Sequence, residues 1–134
     1  MKQLLATHLT YKKYILSRLK DFGIKAGQPK IMYYIASNEG CQQKDIAQNC
    51  YIESATLSSV LLKMEKRGLI ERKRLNSDKR AYAIYIKDKA RPVFEAVQRV
   101  FDEVLKLSLE GFSDEEAAEF EKYLERMENN LKNT

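Results

Sequence analysis

Apolar side chains recur every three or four positions through the first half of this chain, which is the period of an amphipathic helix. The pattern predicts four helices before the period changes, and they lie at residues 3–22, 29–37, 43–49 and 54–67. Pro29 fits the first turn of the second helix, because the N–H that proline lacks has no partner there anyway. A short turn joins the third and fourth helices, and such a pair is typical of a helix-turn-helix.

The period falls to two between residues 69 and 86, where alternating positions predict a pair of β-strands. The strands cover 69–75 and 81–86, and the segment between them, 76–80, begins with turn-forming residues and ends with basic ones. We therefore expect a β-hairpin with a charged tip, which is a wing beside the helix-turn-helix.

Helical spacing returns near residue 89 and continues to residue 131. Ser113 and Glu116 have the spacing of a capping box, in which each side chain binds the backbone N–H of the other residue. They predict the start of a last helix, whose apolar residues at 117–131 form a narrow seam suited to a partner helix.

Together these elements predict a mainly α fold with a small β-hairpin wing, an α+β winged helix-turn-helix. Residues 28–91 form the winged helix-turn-helix, and residues 1–27 and 92–134 form a helical dimerisation region, all in one compact chain. The alternative is that the apolar seams at 93–105 and 117–131 pack only on the first helix of the same chain.

The composition is that of one globular domain, since 134 residues with 44% apolar and 32% charged side chains can bury their own core. No apolar stretch reaches the roughly 20 residues that span a bilayer. Residues 1–8 lack the apolar region of a signal peptide. We therefore expect a cytoplasmic protein without membrane contact.

Few residues of the chain suit metal binding or catalysis. The only histidine is His8, and the two cysteines, Cys41 and Cys50, do not have C-x-x-C spacing. The sequence contains no nucleophile–histidine–acid set and no glycine-rich phosphate loop. We therefore expect no metal, no cofactor and no enzyme.

Basic residues are concentrated in the middle of the chain, although the net charge is only +5. Residues 28–91 hold thirteen basic and seven acidic side chains, whereas residues 92–134 hold five basic and eleven acidic ones. The densest stretch, 63–80, has eight basic and three acidic side chains. Such a patch on a helix-turn-helix favours double-stranded DNA as partner, whereas a charge run alone is as often a solvated helix face.

The fourth helix is expected to enter the major groove with the face opposite Leu57. We call this set the recognition face, and its members are Ala55, Thr56, Ser58, Ser59, Leu62, Lys63 and Lys66. Hydroxyl groups suit bases or phosphates, and lysines suit phosphates. Leu62 suits a thymine methyl group or a protein contact. The alternative is an ordinary polar helix surface.

The hairpin is expected to make further contacts with DNA, through Arg72, Arg74, Lys79 and Arg80. Lys79 and Arg80 lie at the tip, from which they can reach a narrow minor groove of negative potential. Asp78 is expected to hold Arg80 or a backbone N–H, and the alternative is a simple turn residue.

This ordered set of features resembles the winged helix of the MarR family, the multiple-antibiotic-resistance regulators. The resemblance rests on residues 55–72 and 76–80, and the matching positions are Gly68, Leu69, Ile70, Arg72, Asp78 and Arg80. The flanking helices also match the family layout, so the likeness covers essentially the whole chain. Ser59 stands where the family often has arginine, and Leu62 where it usually has a polar residue, so the family's base preference is not carried over.

The resemblance implies a homodimer whose terminal helices interdigitate and whose two recognition helices read a pseudo-palindromic DNA operator. It also implies a transcriptional repressor that a small, often aromatic, ligand releases from DNA. His8, Tyr11 and Tyr33 are candidates for the ligand pocket, because they lie on the first two predicted helices. The alternative for these residues is a place in the core or on the surface.

Two other functions stay open at this point. A winged helix can serve as a protein-interaction module, in which Leu62 would be an anchor. A thiol-based redox sensor would need a cysteine with a low pKa beside positive charge, and Lys44 is the cation near Cys41 and Cys50. The alternative is that both thiols are unreactive.

Overall fold

The computed structural model describes residues 1–75 and 78–134, and for residues 78–80 it describes the backbone alone. Within these residues lie six α-helices and one antiparallel sheet of two strands, which confirms the predicted mainly α fold with a β-hairpin wing. The elements in chain order are α1 (Lys2–Leu19), α2 (Gln28–Ser37), α3 (Gln43–Cys50), α4 (Ser54–Lys66), β1 (Ile70–Leu75), β2 (Asp78–Ile86), α5 (Arg91–Ser108) and α6 (Asp114–Lys132).

Local sequence signals explain most of the helix ends. Pro29 is the second residue of α2, and Gly27 before it has a φ of +86°, a left-handed conformation that glycine adopts without strain. α1 ends at Leu19, and one turn of 3₁₀ helix, Lys20–Phe22, completes the helix predicted to run to residue 22. A second 3₁₀ turn, Asp88–Ala90, precedes α5.

The chain divides into two compact units, Met1–Asp102 and Glu103–Thr134. The first unit has a core of apolar side chains that are less than 2% exposed: Leu19, Ile31, Met32, Ile35, Ile46, Leu57, Leu61, Met64, Ile70, Ile84, Phe94 and Val97. This set includes Leu57, Leu61 and Met64, which share one face of α4. The apolar residues of α1 are divided, because Ile15 and Leu19 are buried whereas Leu5 and Leu9 are exposed.

The wing is longer than its sequence predicts. β1 pairs with β2 from Ile70 opposite Ile86 to Leu75 opposite Asp78, so β2 begins three residues before the predicted strand at 81–86. Backbone pairing extends the ladder into residues whose composition favoured a turn. Residues 76 and 77 of the segment predicted between the strands, 76–80, lie outside the described residues.

The loop before α3 attaches the wing to the helix-turn-helix. The Gly40 N–H donates to the Ile84 carbonyl at 2.8 Å, and the Ile84 N–H donates to the Cys41 carbonyl at 2.8 Å. Gln42 forms an isolated bridge with Ala83 next to these bonds. The wing is therefore held by hydrogen bonds on both edges of β2, from β1 and from this loop.

An ion pair lies at the junction between β2 and α5. The Glu39 carboxylate accepts hydrogen bonds from Arg91 Nη1 at 3.1 Å and from Arg91 Nη2 at 2.9 Å. It also accepts one from the Ile86 N–H at 3.1 Å. Glu39, in the loop after α2, therefore binds the last residue of β2 and the first residue of α5.

The second unit contains the end of α5, a turn and α6. The capping box is confirmed, because the Glu116 N–H donates to Ser113 Oγ at 3.0 Å and the Ser113 N–H donates to Glu116 Oε2 at 2.9 Å. No residue of α6, which the structure describes over its full length, is buried. Its apolar seam is exposed at Phe120, Leu124 and Leu131.

None of the helices in the described part of the chain combines the length and the apolar character that crossing a membrane requires.

Candidate nucleic-acid interface

α4 is anchored by one face and presents the other to solvent. Leu57, Leu61 and Met64 are 0% exposed and fix the orientation of the helix. All the predicted members of the recognition face are exposed: Ala55, Thr56, Ser58, Ser59, Leu62, Lys63 and Lys66. Leu62 is 45% exposed, and it is an apolar side chain among the hydroxyl groups and lysines of this face.

The turn between α3 and α4 sets the position of the recognition face. Tyr51 closes α3 in the left-handed conformation, with a φ of +55°, and it is the one described residue other than glycine with a positive φ. Its side chain is 67% exposed. A tyrosine in this conformation carries backbone strain that glycine would avoid, and such strain is concentrated at functional sites.

A polar contact joins the two helices on the exposed side. Gln43, the first residue of α3, donates from Nε2 to Ser58 Oγ at 2.6 Å. Sequence reasoning did not identify Gln43, because this contact joins residues fifteen positions apart. The only signal for Gln43 in the sequence was its position at the start of the predicted third helix.

The two arginines of β1 have partners within the chain. Arg72 Nε lies 3.1 Å from Glu65 Oε2, and its side chain is only 23% exposed, so it braces β1 against α4. Arg74 Nε donates to the Tyr82 hydroxyl at 3.2 Å, and the guanidinium lies over the Tyr82 ring at 5.7 Å from its centroid. Arg74 is exposed and is the better placed of the two for a phosphate.

The tip of the wing was predicted to supply Lys79 and Arg80, with Asp78 as their support. The structure places the backbone of these residues in β2, but their side chains lie outside the described residues. Their roles therefore stay predictions.

A cavity of about 270 Å³ lies beside α1 within the first unit. Its lining brings together two of the three predicted ligand residues, His8 and Tyr11, with Lys12, Ile15, Leu16, Gly27, Pro29, Lys30 and Phe101. Burial, and to a smaller extent the neighbouring Tyr33, raises the pKa of the Tyr11 hydroxyl. The hydroxyl is therefore a neutral hydrogen-bond donor at physiological pH.

Tyr33 lies next to this cavity and does not line it. Its ring stacks on the Phe101 ring with a centroid distance of 4.5 Å. Tyr33 itself lines a polar cleft, together with Glu95, Gln98, Arg99 and Asp102. Tyr33 therefore supports the wall of the cavity through Phe101.

Neither thiol has the environment of a reactive cysteine. Burial, together with the Asp45 carboxylate, raises the pKa of the Cys41 thiol to about 11. Burial also raises the pKa of Cys50, whose Sγ donates to the Lys30 carbonyl at 3.6 Å. The cation that acts on Cys50 is Lys30 and not the expected Lys44. These shifts disfavour the thiol-sensing hypothesis.

A family model and curated relatives are similar to this chain in sequence. Residues 24–82 match the sequence model of the MarR family. The HTH-type transcriptional regulator BilQ of Clostridioides difficile is 25% identical over 114 residues, which are 85% of this chain and 77% of that protein.

Solved structures share the fold over nearly the whole chain. A MarR family transcriptional regulator of Listeria monocytogenes, in complex with a 26mer DNA, has a TM-score of 0.89 at 19% identity and covers 97% of this chain and 87% of its own. MepR of S. aureus, also in complex with DNA, has a TM-score of 0.80 at 24% identity, with coverage of 96% and 93%.

Proposed function

Because this chain belongs to the MarR family of DNA-binding transcriptional regulators, we propose that it binds a pseudo-palindromic operator as a homodimer, represses transcription there and is released by a small ligand. Membership in a family of regulators also agrees with the expectation that the chain is not an enzyme. A regulator that acts on DNA implies a cytoplasmic location, as predicted from the sequence.

The observation that carries the DNA contact is the recognition face of α4. Fully buried residues hold one side of this helix, so the opposite side keeps a fixed orientation and is entirely exposed. It presents hydroxyl groups towards the N-terminal half of the helix and lysines towards its end. Helices that enter the major groove read bases with their N-terminal residues and bind phosphates elsewhere. The Listeria and S. aureus structures, which hold DNA, support the same use of this fold.

Exposed apolar residues on the terminal helices support the homodimer. Leu4, Leu5 and Leu9 of α1 are between 44% and 62% exposed, and the seam of α6 is exposed as well. Burying these surfaces against a second copy removes them from water. A two-fold dimer places its two recognition helices on half-sites about 34 Å apart.

The decisive experiment is the selection of bound duplexes from a random pool at a stated salt concentration, followed by sequencing. The proposal expects enriched sequences with two inverted half-sites separated by about one helical turn. Absence of enrichment at moderate salt would contradict DNA binding. Enrichment of one half-site without its inverted copy would contradict the two-fold dimer.

The cavity beside α1 supports release by a small ligand. Its volume of about 270 Å³ suits a molecule with one aromatic ring. The cations Lys12 and Lys30 at its wall suit an acid or a phenolate.

Benzoate and phenol are appropriate probes of this cavity. We expect either probe to dissociate the protein–DNA complex. The Tyr11→Phe variant should require a higher probe concentration for dissociation than Tyr34→Phe, which is the control because Tyr34 lies outside the cavity. Equal response of the two variants would exclude this cavity.

The exposure of Leu62 favours one other function, a protein-interaction module. In that case association with a protein would be insensitive to salt, and the selection would recover no duplex. Replacement Leu62→Ala would then abolish the protein contact, whereas Lys63→Ala would leave it intact.

A further inference from the structure

The contact between Gln43 and Ser58 lies between the two helices that form the helix-turn-helix. Ser58 belongs to the recognition face and is exposed, and Gln43 is half-buried at the first position of α3. The 2.6 Å separation of Nε2 and Oγ is a short hydrogen bond in which the amide donates and the hydroxyl accepts. The bond fixes two neutral side chains in one arrangement before any partner arrives.

Gln43 and Ser58 keep hydrogen-bond donors and an acceptor that their mutual bond does not use. A primary amide has two N–H donors and one carbonyl acceptor, and a hydroxyl has one donor. Because one amide hydrogen is used on Oγ, Gln43 keeps one N–H and its carbonyl oxygen. The Ser58 hydroxyl hydrogen points away from the amide, since the amide nitrogen cannot accept it. The pair therefore presents two donors and one acceptor.

We propose that Gln43 and Ser58 together read one base pair in each half-site, with Gln43 as a residue that determines specificity for adenine. The remaining N–H and carbonyl of a glutamine match the N7 acceptor and the N6 amino donor of adenine in the major groove. The Ser58 hydroxyl donates to a neighbouring acceptor on the DNA and holds the glutamine in this orientation. The proposal rests on the proposed function, because it requires that the recognition face enters the major groove.

Because Gln43 and Ser58 are both uncharged, their effect on DNA binding can be distinguished from that of the lysines. Salt dependence of DNA binding comes from cations that displace counterions at phosphates. Removing Gln43 should therefore change base preference without changing the slope of log K against log salt. A residue with a merely structural role would instead lower the affinity for all duplexes together.

The test uses the duplex that the wild-type protein selects from a random pool, and every single base-pair substitution within one half-site. The variants are Gln43→Met, which keeps the shape but removes the polar groups, Ser58→Ala and the double variant. Gln48→Met is the matched control, because Gln48 is an exposed glutamine of α3 about 140° away around the helix. Thermal unfolding without DNA verifies that all variants fold.

We expect Gln43→Met to weaken binding to the selected duplex by about tenfold and to lose the preference for adenine at one position of the half-site. Ser58→Ala should weaken the same preference. The double variant should lose less than the product of the two single losses, because the residues act as a unit. Gln48→Met should bind like the wild type.

Three results would overturn the proposal: an unchanged preference in Gln43→Met, a uniform loss over all duplexes, or independent effects of the two single changes. A wild-type protein that selects no duplex would instead refute the proposed function, so the two failures are distinguishable.

Discussion

At the scale of single residues, the recognition face is ordered by chemistry along α4. Ser58 and Ser59 lie in its first half, whereas Lys63 and Lys66 lie near its C-terminus, where cations interact favourably with the helix dipole. The same lysines are exposed and can contact a phosphate. The proposed function thus divides specificity and affinity between different residues of one helix.

Lys63→Ala should weaken binding to all duplexes by a similar factor, because phosphate contacts carry little sequence information. The slope of log K against log salt should become shallower by about 0.9 for each phosphate that the variant no longer neutralises. Fluorescence anisotropy over a series of salt concentrations measures both quantities. Lys106→Ala, which removes an exposed lysine of α5 outside the proposed interface, is the control and should leave the slope unchanged.

Cys41 should react slowly with thiol reagents, because a thiol whose pKa is about 11 is almost fully protonated at neutral pH. At pH 8 we expect alkylation at least about tenfold slower than that of free cysteine. Mass spectrometry of the Cys50→Ser variant with iodoacetamide gives the rate. Alkylation as fast as that of free cysteine, or loss of DNA binding in dilute peroxide that Cys41→Ser prevents, would restore the redox hypothesis.

At the scale of elements, the junction between the wing and α5 depends on Glu39. The hydrogen bonds from Arg91 hold the pKa of its carboxyl below the usual range, and the bond from the Ile86 N–H acts in the same direction. A carboxyl whose pKa is lower in the folded state stabilises the fold above its unfolded pKa. That contribution is lost as the pH falls through the lowered value.

Glu39→Gln keeps the acceptor for the Ile86 N–H but removes the ion pair with Arg91. We expect the melting temperature at pH 7 to fall by about 2–5 °C, a modest change because the pair is partly solvated. The difference from the wild type should shrink as the pH falls below the usual pKa of a glutamate, about 4.3, and through the lowered pKa of Glu39, because the carboxyl then becomes neutral, as the glutamine already is. Differential scanning calorimetry at several pH values tests this.

The control for this prediction is Glu53→Gln at the start of α4, whose side chain makes no capping hydrogen bond. It should show a smaller effect at pH 7. A difference between Glu39→Gln and the wild type that stays constant from pH 7 to about pH 3 would contradict the assigned ion pair.

At the scale of the whole molecule, sequence periodicity predicted the elements well because each amphipathic helix must bury one face. The exposed recognition face of α4, opposite the buried Leu57, and the capping box of α6 follow directly from residue spacing. The bridge between Gln42 and Ala83 and the contact of Gln43 with Ser58 could not be predicted, since both depend on how distant segments pack. For the same reason, the ion pair of Arg72 with Glu65 could not be predicted, and the expected contact of Arg72 with DNA stays a prediction.

Leu124→Arg should weaken the proposed dimer, because it places a charge in the apolar seam of α6. An unpaired charge buried at an interface costs several kcal/mol, so we expect the dimer dissociation constant to rise by about 100-fold or more. Analytical ultracentrifugation measures the constant. Glu125→Arg is the control, because Glu125 is exposed and lies on the side of α6 turned away from the seam. A dimer of unchanged affinity in Leu124→Arg would exclude this seam from the interface.

The absence of buried residues along the fully described α6 has a consequence for the protein at low abundance. An isolated helix of this length is only marginally stable in water, so the proposed homodimer would contribute to the order of α6. Its folding then obeys mass action and depends on how many copies a cell contains. On dilution of the proposed dimer, α6 should fray and become open to proteases, which would couple the lifetime of the regulator to its own concentration.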